Sequence, residues 1–410
     1  MIKFLPIVFM IIPFTKILPI ESYNQPYAFL SALFVLLLKP SAFGRLPQID
    51  RLALGYMFLL GTGLFFVAAF EEFSFRLVQY LLVYVSPAIM VAVAFFAMRS
   101  DPERVRKLLV YGICAWTFVG LVQRFVSVDF LVFLASQNDD LASNIIDSGR
   151  GVLSLAPEPT HFALHMLVMA GALMVMRGPL WAVALAAASA LFLAASSFAA
   201  LVIGFGGLLW AVMRPWRWPL VALFFVGVST VFLIAQALFS PDTRIGRLIA
   251  VLTEFGFAGL LTDASANARI YGIIAPITES FNTLLVPLGA TTSAWLDMRD
   301  VILAANSQIY SLSGAGPATG YGLILVQGGV LALPVLAYLF ARLFWRAGAS
   351  WRGLPVVIGA TVFVGQIYLS TPSFSLLLAA VIFALVDERE TARSRSQHQD
   401  PARQPGAERR

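Results

Sequence analysis

The sequence predicts an all-α polytopic membrane protein with about twelve transmembrane helices and two long periplasmic loops that contain short helices. Three observations predict it. Of 410 residues, 59% are hydrophobic and 12% charged, with a mean hydropathy of +0.83, whereas a soluble domain carries about 25% charged residues. Apolar runs long enough to cross a bilayer, about 17–25 residues each, recur from one end of the chain to the other. The apolar–polar alternation of a membrane β-strand is absent, and lipid cannot satisfy backbone N–H and C=O groups, so each run is expected to be a helix.

Taken in order, the expected spans are 2–20, 23–39, 52–70, 77–98, 105–126, 160–176, 179–195, 197–213, 219–239, 318–340, 354–370 and 373–387. The first has a lysine and an apolar core but no A-x-A cleavage site, which reads as an uncleaved helix. The second is squeezed between Pro26 and Lys39. The pair over 179–213 is joined only by the small residues around Ser196 and Ser197, a tight helical hairpin. Residues 1–387 thus read as one integral membrane domain. The segment 388–410, rich in Arg, Gln and Glu, reads as a disordered basic cytoplasmic tail. Its arginines are suited to anionic lipid, worth about 1 kcal/mol each near the surface.

Charge tests the orientation. With the N-terminus inside, the inner segments hold 20 of the 28 basic residues and 8 of the 22 acidic ones, a net +12 against −6 outside. That is the positive-inside pattern of a bacterial inner-membrane protein with both termini cytoplasmic. The overall +6 and the pI near 9.6 therefore follow from topology, and the inner loops are too short for a nucleic-acid surface. Cys114, the single cysteine, lies in an apolar span. The three histidines, His161, His165 and His398, exclude a His-rich metal site, and neither metal nor cofactor is expected.

Two outer segments exceed mere connection, and long loops in compact proteins are usually functional. The first, 127–159, is acidic early and ends in GRGVLSLAPEPTHF, Gly149 to Phe162. The second, 240–317, holds Ile245, Leu248, Ile249 and Leu252 at the spacing of one apolar helix face. Arg244 and Arg247 beside them suggest a helix lying in the interface plane. A second helix is expected from near Asn267, as N-cap, carrying Arg269, Tyr271 and Glu279. A third is expected over about 300–313.

Polar chemistry gathers at the mouth of the sixth span. Pro157 and Pro159 bracket Glu158 and bias the backbone to an extended form. His161 follows one turn on and His165 four residues further on the same face. A carboxylate on such a stiff, partly desolvated turn suits a general base. The same residues also fit an ordinary helix start, with Glu158 and Thr160 capping, Arg150 as ion-pair partner and His165 as a hydrogen-bonded packing residue. Arg269, expected in the first turn of its helix, suits an anion site. It equally suits a salt bridge to Asp263 or a lipid headgroup.

Together these features resemble the O-antigen polymerase and ligase superfamily of membrane glycan transferases, over roughly residues 100–345. The resemblance rests on Arg150, Glu158 and Pro159 entering a span, on Ser196–Ser197–Phe198, and on the helix bearing Arg269. It also rests on VPLGA at Val286–Ala290 and on Gly329 to Pro334 inside a late span. Many ligases carry a His-Asn pair before that span. This chain has Ala304-Ala305-Asn306, which favours a polymerase. The resemblance implies glycans on undecaprenyl diphosphate as substrates, with a flippase and a chain-length regulator as possible partners. It implies Glu158 and His161 as catalytic groups. It further implies Arg150, Arg269, His165, Arg244, Arg247 and Tyr271 as contacts to the diphosphate or glycan. A polysaccharide or lipid transporter and a non-catalytic subunit of a polysaccharide-synthesis complex are the rival expectations.

Overall fold

The computed structural model describes residues 2–17, 24–135, 151–213, 219, 250–256, 259, 261–262, 264–312, 316–317, 319–346, 351–364 and 368–399. Among these the regular structure is all helical, with no strand and one isolated bridge between Thr15 and Ala135. The helices are α1 (Leu5–Ile11), α2 (Tyr27–Leu38), α3 (Ser41–Gly44), α4 (Gln48–Glu71), α5 (Phe75–Ser100) and α6 (Pro102–Phe125). There follow α7 (Pro159–Val175), α8 (Leu180–Ala188), α9 (Ser197–Val212), α10 (Ala264–Asn282) and α11 (Thr292–Ala305). The last are α12 (Gly320–Gly328), α13 (Leu333–Leu339), α14 (Leu354–Thr361) and α15 (Pro372–Gln399). Among the described residues, four stretches are long and apolar enough to cross a membrane: Gln48–Glu71, Arg76–Ser100, Pro102–Phe125 and Gly320–Trp345.

Local chemistry sets the boundaries. The Asp101 carboxylate accepts from Arg104 N at 3.0 Å and caps α6, with Pro102 at its first position, where the missing N–H costs nothing. Ser196 caps α9 through Ala199 N, so the serines joining the hairpin also start its second helix. α7 is buried on every face from Phe162 to Met174, the mark of a central helix. A Cβ at Gly171 would stand 2.8 Å from the Pro355 carbonyl oxygen, so only glycine lets α14 come this close, as small residues do where membrane helices pack. α4 is peripheral and leaves Leu59, Phe66, Val67 and Phe70 exposed.

Basic residues gather at one end of this bundle. Arg99 pairs with Glu390 at 2.8 Å and Arg177 with Asp387 at 3.8 Å. Arg104 lies over the Phe4 ring, and Lys39 and Arg45 over Phe96. Asp50 and Arg342, at the same end, form a buried pair at 2.8 Å, 1% and 7% exposed. Arg342 adds a second contact at 2.9 Å, and the Tyr338 hydroxyl donates to the same carboxylate at 2.7 Å. Phe73 in the turn between α4 and α5, Arg124 in the last turn of α6 and Glu158 just before α7 lie toward the opposite end.

Three expectations change. The helix expected over 2–20 stops at Ile11, because Pro13 has no N–H to continue the ladder and the backbone bends at residues 12–15. The helix expected over 318–340 breaks after α12. Gly329 takes φ +50°, and a Cβ there would collide with the Leu285 carbonyl oxygen. The tail, expected to be disordered from 388, stays helical through Gln399. Its Glu, Arg, Ala and Gln residues are good helix formers, and Glu390 is anchored by Arg99. The span expected over 219–239 lies outside the described residues, apart from residue 219.

The segment 264–312 folds as a helical hairpin. Ala275, Trp295, Met298, Ile302 and Ile309 form its small core, joined by Val326 of α12. Asn267 is not the N-cap. The helix begins three residues earlier, and Asn267, fully buried, instead donates to the Leu261 and Gln308 carbonyls and accepts from Tyr310 N. The next helix runs over Thr292–Ala305 rather than 300–313, started by a Thr291 cap to Ala294 N.

Candidate active site at the mouth of α7

The segment before α7, expected as a stiff, partly desolvated turn closing the outer segment 127–159, is built into the bundle. Gly151 to Pro157 are all buried. Val152 N donates to Leu193 O at 3.0 Å, on the π-helical turn Ser189–Leu193 that continues α8. Ser154 adopts a left-handed φ of +53° and is fully buried. Gln123, near the end of α6, holds it from both sides: Ser154 N donates to the Gln123 amide oxygen at 2.6 Å, and the Gln123 NH2 donates to Ser154 O at 3.0 Å and Phe130 O at 2.9 Å. The Ser154 hydroxyl donates to Trp116 O at 2.7 Å.

This scaffold delivers Glu158 to the N-terminus of α7. Its backbone is extended (φ −144°, ψ 151°), as flanking prolines dictate. Its side chain does not cap the helix, and among the described residues its half-buried carboxylate has no hydrogen-bond or ion-pair partner. Capping therefore does not explain it. Arg150, the expected partner, lies outside the described residues.

His161 and His165 come together below, on one aromatic ring. Phe14, in the bend after α1, meets His161 edge-on at 5.6 Å and His165 at 5.8 Å. His165 also lies 4.9 Å from Trp116, which stacks on Phe162. His165 is buried, with Nε2 2.8 Å from Ile11 O and Nδ1 2.6 Å from Ser373 Oγ. A carbonyl only accepts, so Nε2 carries the proton, and in the neutral ring Nδ1 accepts from the Ser373 hydroxyl. Trp116 Nε1 donates to the same Ile11 carbonyl at 2.9 Å. Helix ends leave carbonyls unsatisfied, and Ile11 is such an end, closed by two side chains. His165 thus has no ring nitrogen left for a glycan; its role here is structural.

Chain comparison adds no neighbour to this arrangement. No family model, curated protein or solved structure matches the chain. What the site does must be read from its own atoms.

The remaining sequence candidates lie elsewhere. Tyr271 donates to the Gln308 side chain at 3.2 Å within the hairpin of α10 and α11, and no described hydrogen bond or ring contact joins it to Glu158, His161 or His165. Arg269 falls in the second turn of α10, because that helix starts at Ala264. The helix-terminus part of its anion argument is therefore lost, since that field fades within the first turn. Arg244 and Arg247 lie outside the described residues. Among the described residues, no three His, Cys, Asp or Glu side chains are placed to share a metal ion.

Sequence reading missed two polar constructions. One is the Asp50–Tyr338–Arg342 cluster, whose members look like ordinary boundary charges in sequence. The other joins two motifs that the family resemblance singled out separately. Leu288 N donates to Val326 O at 3.2 Å and Gly289 N to Gln327 O at 3.1 Å, while Val330 N donates to Leu285 O at 2.8 Å. The VPLGA segment thus satisfies the backbone groups freed where the helix breaks at Gly329. The Gln327 side chain accepts from the Tyr84 hydroxyl at 2.9 Å. A Gly-Gly pair inside an apolar run was the available signal.

Proposed function

We propose that this protein is a polymerase of lipid-linked glycans, acting at the periplasmic face of a bacterial inner membrane. In this reading about twelve spans cross that membrane, and the basic end of the bundle, with both termini, faces the cytoplasm. The observation that carries the reading is the Glu158 carboxylate. It has no described partner, its backbone is fixed by two prolines and a buried strut, and it stands at the end of the bundle opposite the Arg99–Glu390 and Asp50–Arg342 pairs. A stiffly held, half-buried carboxylate at that position suits abstraction of a proton from an acceptor sugar hydroxyl. The hydroxyl oxygen then bonds to the anomeric carbon of the donor chain, and the bond from that carbon to the lipid diphosphate breaks. The proton passes to Glu158 and the negative charge leaves on the diphosphate. His161, one turn along α7, orients the carboxylate or takes its place. Arg150 and Arg269 stabilise the departing charge, an interaction whose loss costs on the order of 10²–10³ in rate.

The test is the lipid-linked glycan pool in a strain lacking the protein, compared with strains carrying Glu158→Gln or Arg269→Ala. Single repeat units accumulating on the lipid in all three support the polymerase and both residues. Long chains retained on the lipid indicate a ligase. A second reading, a polysaccharide or lipid transporter, draws on the two helices broken inside the bundle, after Ile11 and at Gly329, since transporters build sites from such breaks. Unchanged pools in the deletion strain would favour it.

A further inference from the structure

The tip of the hairpin of α10 and α11 lies at a depth that its place in a loop does not suggest. Leu288 and Gly289 bond to Val326 and Gln327, and Leu285 bonds to Val330, so the tip is level with the break in the long apolar stretch Gly320–Trp345. α4 supplies a ruler. Gly328 faces Leu60 of α4, and Leu60 lies roughly twelve residues, or about 18 Å at the helical rise, below Glu72. It lies about 15 Å above Asp50 on the same scale. The tip is therefore midway between the charged ends of a membrane-spanning helix whose apolar length matches the roughly 30 Å hydrocarbon core.

Two further observations fit that depth. Backbone in hydrocarbon must satisfy its own polar groups, and every N–H from Thr283 to Gly289 does so. Thr283 donates to Glu279 O, Leu284 to Phe281 O, Leu285 to Ser280 O, Val286 to Thr283 O, and Leu288 and Gly289 to α12. Pro287 has none to satisfy. Apart from Asn282, which is exposed and donates to the Glu279 carboxylate at 3.1 Å, the outward side chains are apolar: Leu284 is 86% exposed, Val286 59% and Phe281 57%. They continue an apolar edge of α10 through Ile274 and meet the exposed Val330 and Leu331 beside the break. A water-exposed loop tip needs neither a closed backbone nor this surface.

We propose that residues 281–290 form a re-entrant element that enters the membrane from the outer side, with Phe281, Leu284 and Val286 in contact with lipid acyl chains. The occupant is lipid because the exposed edge is continuous with the apolar rim of the Gly320–Trp345 stretch, at the same depth. The segment expected to be wholly periplasmic then has its tip near the bilayer centre.

Site-directed spin labelling of the full-length protein in liposomes tests this. In a Cys114→Ala background, a nitroxide is attached at Leu284→Cys, at Val286→Cys and, as a water-facing reference, at Ala304→Cys. Power saturation is then measured with oxygen, which concentrates in hydrocarbon, and with a polar nickel chelate, which stays in water. The expected result is accessibility to oxygen several-fold above that to nickel at 284 and 286, with the ratio inverted at 304. Nickel access at 284 and 286 equal to that at 304 would overturn the proposal by placing the tip in water. Low access to both reagents would overturn it by showing the edge covered by protein, a second copy of this chain included. The substituted side chains are exposed, so loss of fold does not confuse the outcome.

Discussion

Replacing Gln123 by leucine keeps the side-chain volume and removes three hydrogen bonds. The Ser154 N–H and C=O, fully buried, lose their partners; so does the half-buried Phe130 carbonyl. An orphaned buried backbone group costs about 1–3 kcal/mol, so the two Ser154 groups alone set a loss of about 2–6 kcal/mol. The assay is reversible unfolding in mixed micelles at rising denaturing-detergent fraction, followed by tryptophan fluorescence, to which the buried Trp116 contributes. Because Glu158 stands only a few residues beyond Ser154, polymer synthesis should fall together with stability. A change below about 0.5 kcal/mol, the scatter of surface substitutions, would refute the claim that Gln123 holds the strut.

Other perturbations follow from the same geometry. Gly329→Ala should cost more than the roughly 1–2 kcal/mol of a left-handed alanine, because its Cβ must also expel the Leu285 carbonyl, and limited proteolysis should then cut within 283–290. Arg342→Met should destabilise by about 3–5 kcal/mol by leaving Asp50 buried and unpaired, whereas the triple change Asp50→Leu, Tyr338→Phe, Arg342→Met should be near neutral; paired unfolding curves separate the two. Glu158→Gln should reduce polymer formation by about 10²–10⁴, the usual share of a general base, with no shift in the unfolding midpoint, since its carboxylate supports no described contact. His165→Phe should lower stability by about 1–3 kcal/mol through the Ile11 carbonyl and Ser373 hydroxyl it abandons, measured by the same unfolding assay.

The parts of the fold that sequence revealed were those decided locally. The boundaries of α5 and α6 follow from long apolar runs that end at Arg99–Asp101 and Arg124, and the start of α7 from Pro159. The extended backbone of Glu158 was readable because both its neighbours are proline. What escaped was decided by distant partners. Nothing near Gly329 shows that residues 285–289 will fill the break, and Asp50 and Arg342 are 292 residues apart. The burial of Gly151–Pro157 was hidden because an exposed turn and a buried strut share the same composition, and what holds the strut, Gln123, Trp116 and Leu193, lies on other helices. Arg269 was misplaced by a turn because Asn267 resembles a cap while its amide is needed elsewhere.

The Ile11 carbonyl has a consequence for how the protein is made. The two side chains that close it, Trp116 and His165, follow it by 105 and 154 residues. At a synthesis rate of about 5–20 residues per second, the second of them emerges roughly 8–30 s later. During that interval α1 ends in a carbonyl whose closing side chains have not yet been made. α1 therefore finds the partners of its last carbonyl only when α6 and α7 arrive, so a helix made early is among the last to be seated.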